Sequence, residues 1–294
     1  QGQLEDDKND NYGLYLQDLI SLTPQWKVLA GVRFDSLRQR RVKTSPVRDY
    51  DRTDHTTSPR LGLIYQPIEP LSLYASYSKS FQPLTDNYRT YVNLTDLTPT
   101  KTEAYEIGAK WDVTPDLNTS IAIFRATQNN IFQNTASDPT VGVLAGEQRS
   151  QGVAWNFAGN LTKSLSLLGG YAYTDAKMVE SVMAASPVGN RAALTPKHSA
   201  TLWAKYRFNE GWYVAVGGRA ESLRWATTVN KTKLPGYAVL NAAIGYQAKN
   251  YDLTLNLNNL LDRTYFISAH GVGGENANLF GDARNAQLIL SYRF

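Results

Sequence analysis

The residues able to do chemistry in this sequence are few and widely separated. Its three histidines, His55, His198 and His270, fall at spacings that bring no two imidazoles onto one metal ion. The chain has no cysteine, which removes thiolate metal sites, cysteine nucleophiles and disulfide scaffolds together. Serines and aspartates are plentiful, yet no Ser-His-Asp set follows from their spacing, so no enzymatic reaction is assigned. Gly271-Val272-Gly273-Gly274 has no strand–turn–helix context, which a phosphate-binding fingerprint requires. His198 opens a strand after Pro196-Lys197, whereas His270 lies among glycines in a long polar segment. The 30 basic residues leave a net charge of +4 and are scattered, where a nucleic-acid surface needs them gathered. What remains is non-covalent binding, and binding depends on the elements that hold the side chains.

Those elements are strands. Leu253, Leu255 and Leu257 alternate with Asp252, Thr254 and Asn256, a period of two that puts leucine on one face and polar groups on the other. The alternation recurs at Trp26, Val28, Ala30, Val32 and Phe34, at Leu71, Leu73, Ala75 and Tyr77, and at Leu117, Thr119, Ile121 and Ile123. It returns at Ala200 to Tyr206, Ala238 to Tyr246 and Leu288 to Phe294, and no helical stripe competes with it. Thirteen strands are predicted, near 10–22, 26–40, 56–66, 70–81, 102–113, 117–128, 149–162, 165–177, 197–208, 212–224, 236–248, 251–260 and 284–294. Tight turns such as Thr23-Pro24-Gln25, Thr114-Pro115-Asp116 and Thr162-Lys163-Ser164 alternate strictly with long polar segments near 41–55, 82–101, 129–148, 178–196, 225–235 and 261–283. Short turns at one end and long loops at the other characterise an outer-membrane barrel and serve no purpose in a soluble sandwich.

The aromatic residues point the same way. Trp26, Tyr65, Trp111, Tyr171, Tyr173, Tyr206, Trp212, Tyr246, Tyr292 and Phe294 all belong to the apolar face and stand near strand ends, where membrane barrels carry two aromatic girdles. The mean hydropathy of −0.38, and the absence of any run of the ~18 apolar residues that a transmembrane helix needs, are both compatible with such a barrel. The expected fold is therefore an all-β, antiparallel transmembrane outer-membrane β-barrel. Thirteen is an odd count, and two unpaired outer strands are not tolerated in lipid. The polar stretch Gln1 to Asn11 also lacks the form of a signal peptide. The expectation is that residues 1–294 are the C-terminal portion of a larger barrel.

At this point several stretches become informative together: Leu73-Tyr74-Ala75-Ser76-Tyr77-Ser78-Lys79-Ser80-Phe81-Gln82-Pro83, Thr98-Pro99-Thr100-Lys101, and Tyr105-Glu106-Ile107-Gly108-Ala109-Lys110-Trp111. They are followed by Gly169-Gly170-Tyr171-Ala172-Tyr173-Thr174-Asp175-Ala176, Pro196-Lys197-His198, Leu234-Pro235-Gly236-Tyr237, Leu257-Asn258-Asn259-Leu260-Leu261-Asp262-Arg263-Thr264-Tyr265 and the closing Ser291-Tyr292-Arg293-Phe294. In order and spacing they resemble the C-terminal barrel of TonB-dependent siderophore receptors of the ferrichrome and catecholate type. Two places depart from that pattern. Ala154 stands where the family usually has an acidic residue facing the lumen, and Gly281-Asp282-Ala283-Arg284 stands where it usually has Gly-x-Pro-Arg.

The resemblance implies a barrel of about 22 strands, with its plug outside this chain. It implies uptake of a ferric siderophore energised through the TonB complex, which acts on that plug, with the N-terminal barrel, outer-membrane lipid and lipopolysaccharide as further partners. It implies no nucleic acid and no resident cofactor, because the iron is carried by the siderophore itself. Ligand contacts are expected from aromatic rings, guanidinium groups and amides of the long loops: Tyr88, Arg89, Tyr91, Asn130, Phe132, Gln133, Trp225, Phe266 and His270. A passive pore, or a partner-binding barrel without energy coupling, is the alternative.

Overall fold

The computed structural model describes residues 5–43, 50–83, 98–134, 142–184, 186–208, 211–270 and 277–293. Its strands are β1 (Glu5–Ser21), β2 (Trp26–Lys43), β3 (Tyr50–Ile68), β4 (Leu71–Gln82), β5 (Thr100–Thr114), β6 (Leu117–Asn134), β7 (Gly142–Asn160) and β8 (Leu165–Glu180). They continue with β9 (His198–Phe208), β10 (Trp212–Glu221), β11 (Arg224–Trp225), β12 (Lys233–Leu234), β13 (Tyr237–Gln247), β14 (Tyr251–Asn258), β15 (Phe266–His270), β16 (Ala277–Phe280) and β17 (Asn285–Tyr292). Thirteen form one antiparallel sheet in the order β1-β2-β3-β4-β5-β6-β7-β8-β9-β10-β13-β14-β17, an uninterrupted meander whose two outer strands are β1 and β17. All thirteen predicted strands are present. The two remaining pairs, β11–β12 and β15–β16, are small hairpins inside the long connections.

The tight turns are set by local side-chain chemistry. Thr23 Oγ1 accepts hydrogen bonds from the backbone N–H groups of Gln25 (3.2 Å) and Trp26 (3.0 Å). Thr162 Oγ1 does the same for Ser164 (3.3 Å) and Leu165 (3.0 Å), and Thr114 Oγ1 for Asp116 (3.3 Å). In each case the threonine hydroxyl satisfies donors that the ladder leaves free where the chain reverses. At the turn into β10, Gly211 takes φ +95°, and a Cβ there would meet Gln247 O at 2.3 Å, so only glycine closes this hairpin.

Register fixes which residues share a face. One row runs Leu63, Ala75, Ile107, Ile123, Val153, Tyr173, and a parallel row Val214, Ile244, Leu255, Leu288. Most of these side chains are exposed, Ile107 at 67% and Ile123 at 65%, with Val153 and Leu255 half-buried, so among the described residues no protein covers the apolar face of the sheet. Aromatic pairs bound it: Trp26 stacks on Tyr65 at 4.6 Å and Trp212 packs on Tyr246 at 5.2 Å toward the tight turns, while Tyr77 meets Tyr105 at 5.0 Å toward the long connections. A large, exposed, aromatic-rimmed apolar face is the signature of a wall built to lie in hydrocarbon.

The structure departs from the sequence expectation at the long-connection end. Strands run well past their predicted limits: β6 to Asn134 instead of 128, and β7 from Gly142 instead of 149. Beyond the aromatic rim both faces meet water, so apolar alternation disappears from the sequence while the hydrogen-bonded ladder continues.

Candidate functional site

The polar face carries the ordered chemistry of the wall. Arg33 grips Asp35 through Nε (2.9 Å) and Nη2 (2.7 Å), and Arg52 grips Asp54 through Nε (2.8 Å) and Nη2 (2.5 Å). Tyr74 donates its hydroxyl to Glu106 at 2.6 Å, with the Lys110 ammonium 5.5 Å from the centre of the same ring. Lower on the wall, Lys205 lies 3.5 Å over the Tyr213 ring, whose hydroxyl is 2.6 Å from Thr254 Oγ1 and donates to Asp252 at 3.3 Å. Ala154 is on this face, paired with Ala122 and Ala172 in a stretch of small side chains, as the sequence pattern requires.

Above the wall, the connections are folded against one another. The Glu221 carboxylate, at the end of β10, accepts from both Arg219 and Arg224, and the Glu221 and Arg224 side chains are each only 4% exposed. Arg224 Nη2 donates to Phe266 O at 2.5 Å, and its guanidinium lies 5.6 Å from the Tyr237 ring, which packs on Tyr265 at 4.6 Å. The hairpins β11–β12 and β15–β16 are thereby tied to the wall and to each other. Between them Ala226, Leu234 and Ala269 are buried, with Phe266 packed alongside. A third connection joins this unit: Arg191 N donates to Asn230 Oδ1 (2.7 Å), Asn230 Nδ2 returns a bond to Arg191 O (3.0 Å), and Leu194 N donates to Trp225 O (2.8 Å). Asn230 holds φ +57°, a left-handed conformation that asparagine tolerates better than most residues.

The predicted ligand residues separate into groups. Asn130 and Gln133 are on β6, and their amides serve internal contacts. Asn130 Nδ2 donates to Thr98 Oγ1 (3.2 Å); Gln133, 2% exposed, donates to Ser181 Oγ (3.0 Å) and accepts from Val182 N (2.8 Å). These two tie one connection to its neighbours. Phe132, between them, is half-buried. Trp225 and Phe266 belong to the packed hairpin unit: Trp225 is half-buried with Lys233 5.1 Å over its ring, and Phe266 meets the exposed Phe280 at 4.7 Å. The backbone of His270 pairs with Ala277 in β15–β16, while its side chain, like Tyr88, Arg89 and Tyr91, lies outside the described residues. Among the described residues no three His, Asp or Glu side chains gather to hold a metal.

Sequence reasoning missed Glu221, Arg224, Arg191 and Asn230, which organise the mouth. Nothing in their spacing announces a contact that only the fold creates. The Asn259 motif was visible, and its role is now specific: Asn259 Nδ2 donates to Arg263 O (2.8 Å) and Asp282 O (3.0 Å), closing the long connection onto the wall.

Residues 2–260 match the family model described as the TonB dependent receptor-like β-barrel. The chain belongs to this family. It is similar to the metal-pseudopaline receptor CntO of Pseudomonas aeruginosa, with 35% identity over 98% of the chain and 42% of the relative. It is also similar to the ferrichrome outer membrane transporter/phage receptor of Escherichia coli K12, with 30% identity over 98% of the chain and 38% of the relative. Among solved structures, the siderophore receptor PiuA from Acinetobacter baumannii superposes with a TM-score of 0.88 at 27% identity, covering 98% of the chain and 44% of that structure. The chain thus spans less than half the length of these relatives. Barrels of this family are outer-membrane proteins of Gram-negative bacteria, and they are receptors and transporters, not enzymes. In this receptor barrel the apolar face is the lipid face and the polar face lines the lumen.

Proposed function

We propose that this chain supplies lumen wall and extracellular binding loops to an outer-membrane receptor that imports a ferric siderophore, energised through TonB. The observation that carries the reading is the inward-anchored mouth. The long connections are fixed by Glu221, Arg224 and Phe266 to the lumenal face of the wall, at the end opposite the tight turns. Loops so anchored present rings and amides over a lumen, where a chelate of a few hundred daltons meets them before passage. On this reading Trp225, Phe266 and Phe132 supply stacking surface, Asn130 and Gln133 hold their loop in place, and Tyr88, Arg89, Tyr91 and His270 complete the contact set. The iron is cargo, coordinated by the siderophore, and no resident cofactor is called for. The energy-coupling complex, the plug, the rest of the barrel and the surrounding lipopolysaccharide are the partners of the intact receptor.

A calorimetric titration of the full-length receptor tests this, using ferric catecholates, ferric hydroxamates, ferric carboxylates and metal–pseudopaline complexes. Saturable binding of one chelate class, with uptake abolished when the TonB complex is deleted, is the expected result. Uptake that persists without that complex means a passive pore, and absence of binding across the panel removes the siderophore assignment.

A further inference from the structure

On the lumenal wall, the surroundings of Arg60 leave it ready for an oxyanion. Arg60 lies on the polar face of β3, paired across the sheet with Gly31 on one side and Ser78 on the other. Its same-face neighbours along the strand are Ser58 and Gly62. All four are small, so among the described residues no directly adjoining side chain covers the guanidinium, and Arg60 is exposed. Among the described residues it has no hydrogen-bond or ion-pair partner. The carboxylates within reach of the same wall are committed: Asp35 to Arg33, Asp54 to Arg52, and Glu106, beside Ser76 in the next row, to the Tyr74 hydroxyl. A cleft of about 340 Å³ borders Arg60, with Tyr15, Gln17, Arg33, Ser58 and Ser78 on its rim.

The approach to this cleft is equally ordered. On β4 the lumenal positions running from the loops down to it are Gln82, Ser80 and Ser78, and on β5 Thr102 stands beside Ser80. Such a path of amide and hydroxyl groups makes hydrogen bonds to a passing polar ligand without holding it by charge. It ends at a cation with an open, planar donor fork, the group best matched to a carboxylate or a pair of phenolate oxygens.

We propose that Arg60 is an anion-binding station in the lumen wall, which takes a carboxylate or catecholate oxygen pair of the chelate being imported. This rests on the siderophore reading above and narrows it: the cargo is net anionic. An electropositive station below the loops also steers such a chelate inward, because a charge set in a low-dielectric wall acts over a longer range than one in water.

The test uses the full-length receptor and the variants Arg60→Gln and Arg60→Lys, with two ferric chelates: an anionic tris-catecholate and a neutral tris-hydroxamate. Wild type is expected to bind the anionic chelate. Arg60→Gln is expected to weaken that binding about ten- to hundredfold, the usual worth of a charge-assisted contact, while Arg60→Lys restores part of it. Unchanged affinity of Arg60→Gln for the anionic chelate overturns the proposal, as does a wild type that takes only the neutral one. A fall in thermal stability with affinity intact also overturns it, because Arg60 then pairs with a protein carboxylate filling the lumen. If wild type binds neither chelate nor any other in the panel, the transport reading itself has failed. Binding by wild type that survives in Arg60→Gln sinks only the present inference.

Discussion

The two faces of the thirteen-stranded sheet share one backbone ladder and are stabilised by opposite means. On the lipid face, Ile107, Ile123, Leu288 and Leu290 stand exposed and make no polar contact, so their contribution waits on the bilayer. On the lumenal face, order comes from pairs: Arg33 with Asp35, Arg52 with Asp54, Tyr74 with Glu106, and the Glu221 carboxylate between two arginines. A strand with period two can serve both environments at once because successive side chains never share a face. The difference teaches that a substitution here must be judged by parity before chemistry. The same charge is ruinous at one position and ordinary at the next.

The largest effect is expected where the lumenal pairing is buried. Glu221→Gln leaves Arg224, 4% exposed in its side chain, without its carboxylate, and removal of one partner from a buried pair costs about 3–5 kcal/mol. The β11–β12 and β15–β16 hairpins lose their anchor, so amide hydrogen exchange across 224–234 and 266–280 should accelerate while the wall stays protected. Unchanged exchange in the hairpins means that the buried apolar cluster holds the mouth without the ion pair.

Next in size is a charge placed on the lipid face. Ile123→Lys, in the middle of the exposed apolar row, is expected to lower the unfolding free energy in a bilayer by about 2–4 kcal/mol. Asn256→Lys, on the opposite face of β14, should cost no more than about 0.5 kcal/mol. Equal effects at the two positions contradict the assignment of faces. On the lumenal side, Tyr74→Phe deletes the 2.6 Å bond to Glu106 and is expected to cost about 1–2 kcal/mol, read as a lower unfolding midpoint.

Parity is also what made the fold legible from sequence. Leu253, Leu255 and Leu257 set against Asp252, Thr254 and Asn256 name both faces of β14, and the alternation of Thr23-Pro24-Gln25 with long polar runs orders the two ends. The site was legible only in part. Asn130, Phe132 and Gln133 read as loop residues because lipid no longer imprints alternation above the aromatic rim, yet β6 extends through them. Gln133 read as a ligand group because it falls in a long polar segment, and the fold turns its amide against Ser181, 48 residues away. Arg60 read as one of many scattered cations. Its isolation depends on Gly31 and Ser78 facing it from neighbouring strands, and pairing of that range is not written in local sequence.

The smallest expected effect sharpens the comparison on a single strand. Asp51 and Asp54 both begin β3 and both pair with an arginine, but three residues of separation put them on opposite faces. The Arg38–Asp51 pair is open to water, its side chains 56% and 44% exposed, whereas those of Arg52–Asp54 are 16% and 7% exposed. The Arg38 hydrogen bond holds the Asp51 carboxyl below the ordinary carboxylate range, against a smaller opposing effect of burial. A depressed folded-state value means that any stabilisation is present above the ordinary carboxylate pKa and is lost as pH falls through the depressed one. For a pair this exposed, solvent and salt screen that contribution, so Asp51→Asn should leave the unfolding midpoint unchanged at physiological ionic strength. Asp54→Asn should lower it measurably, because it removes the charge-assisted hydrogen bonds that Arg52 makes to the carboxylate in a place that water reaches poorly. Unfolding curves of the two variants, recorded side by side at neutral pH and again below pH ~4, decide the matter. Equal losses at neutral pH would mean that burial on the lumenal face adds nothing to the strength of its pairs.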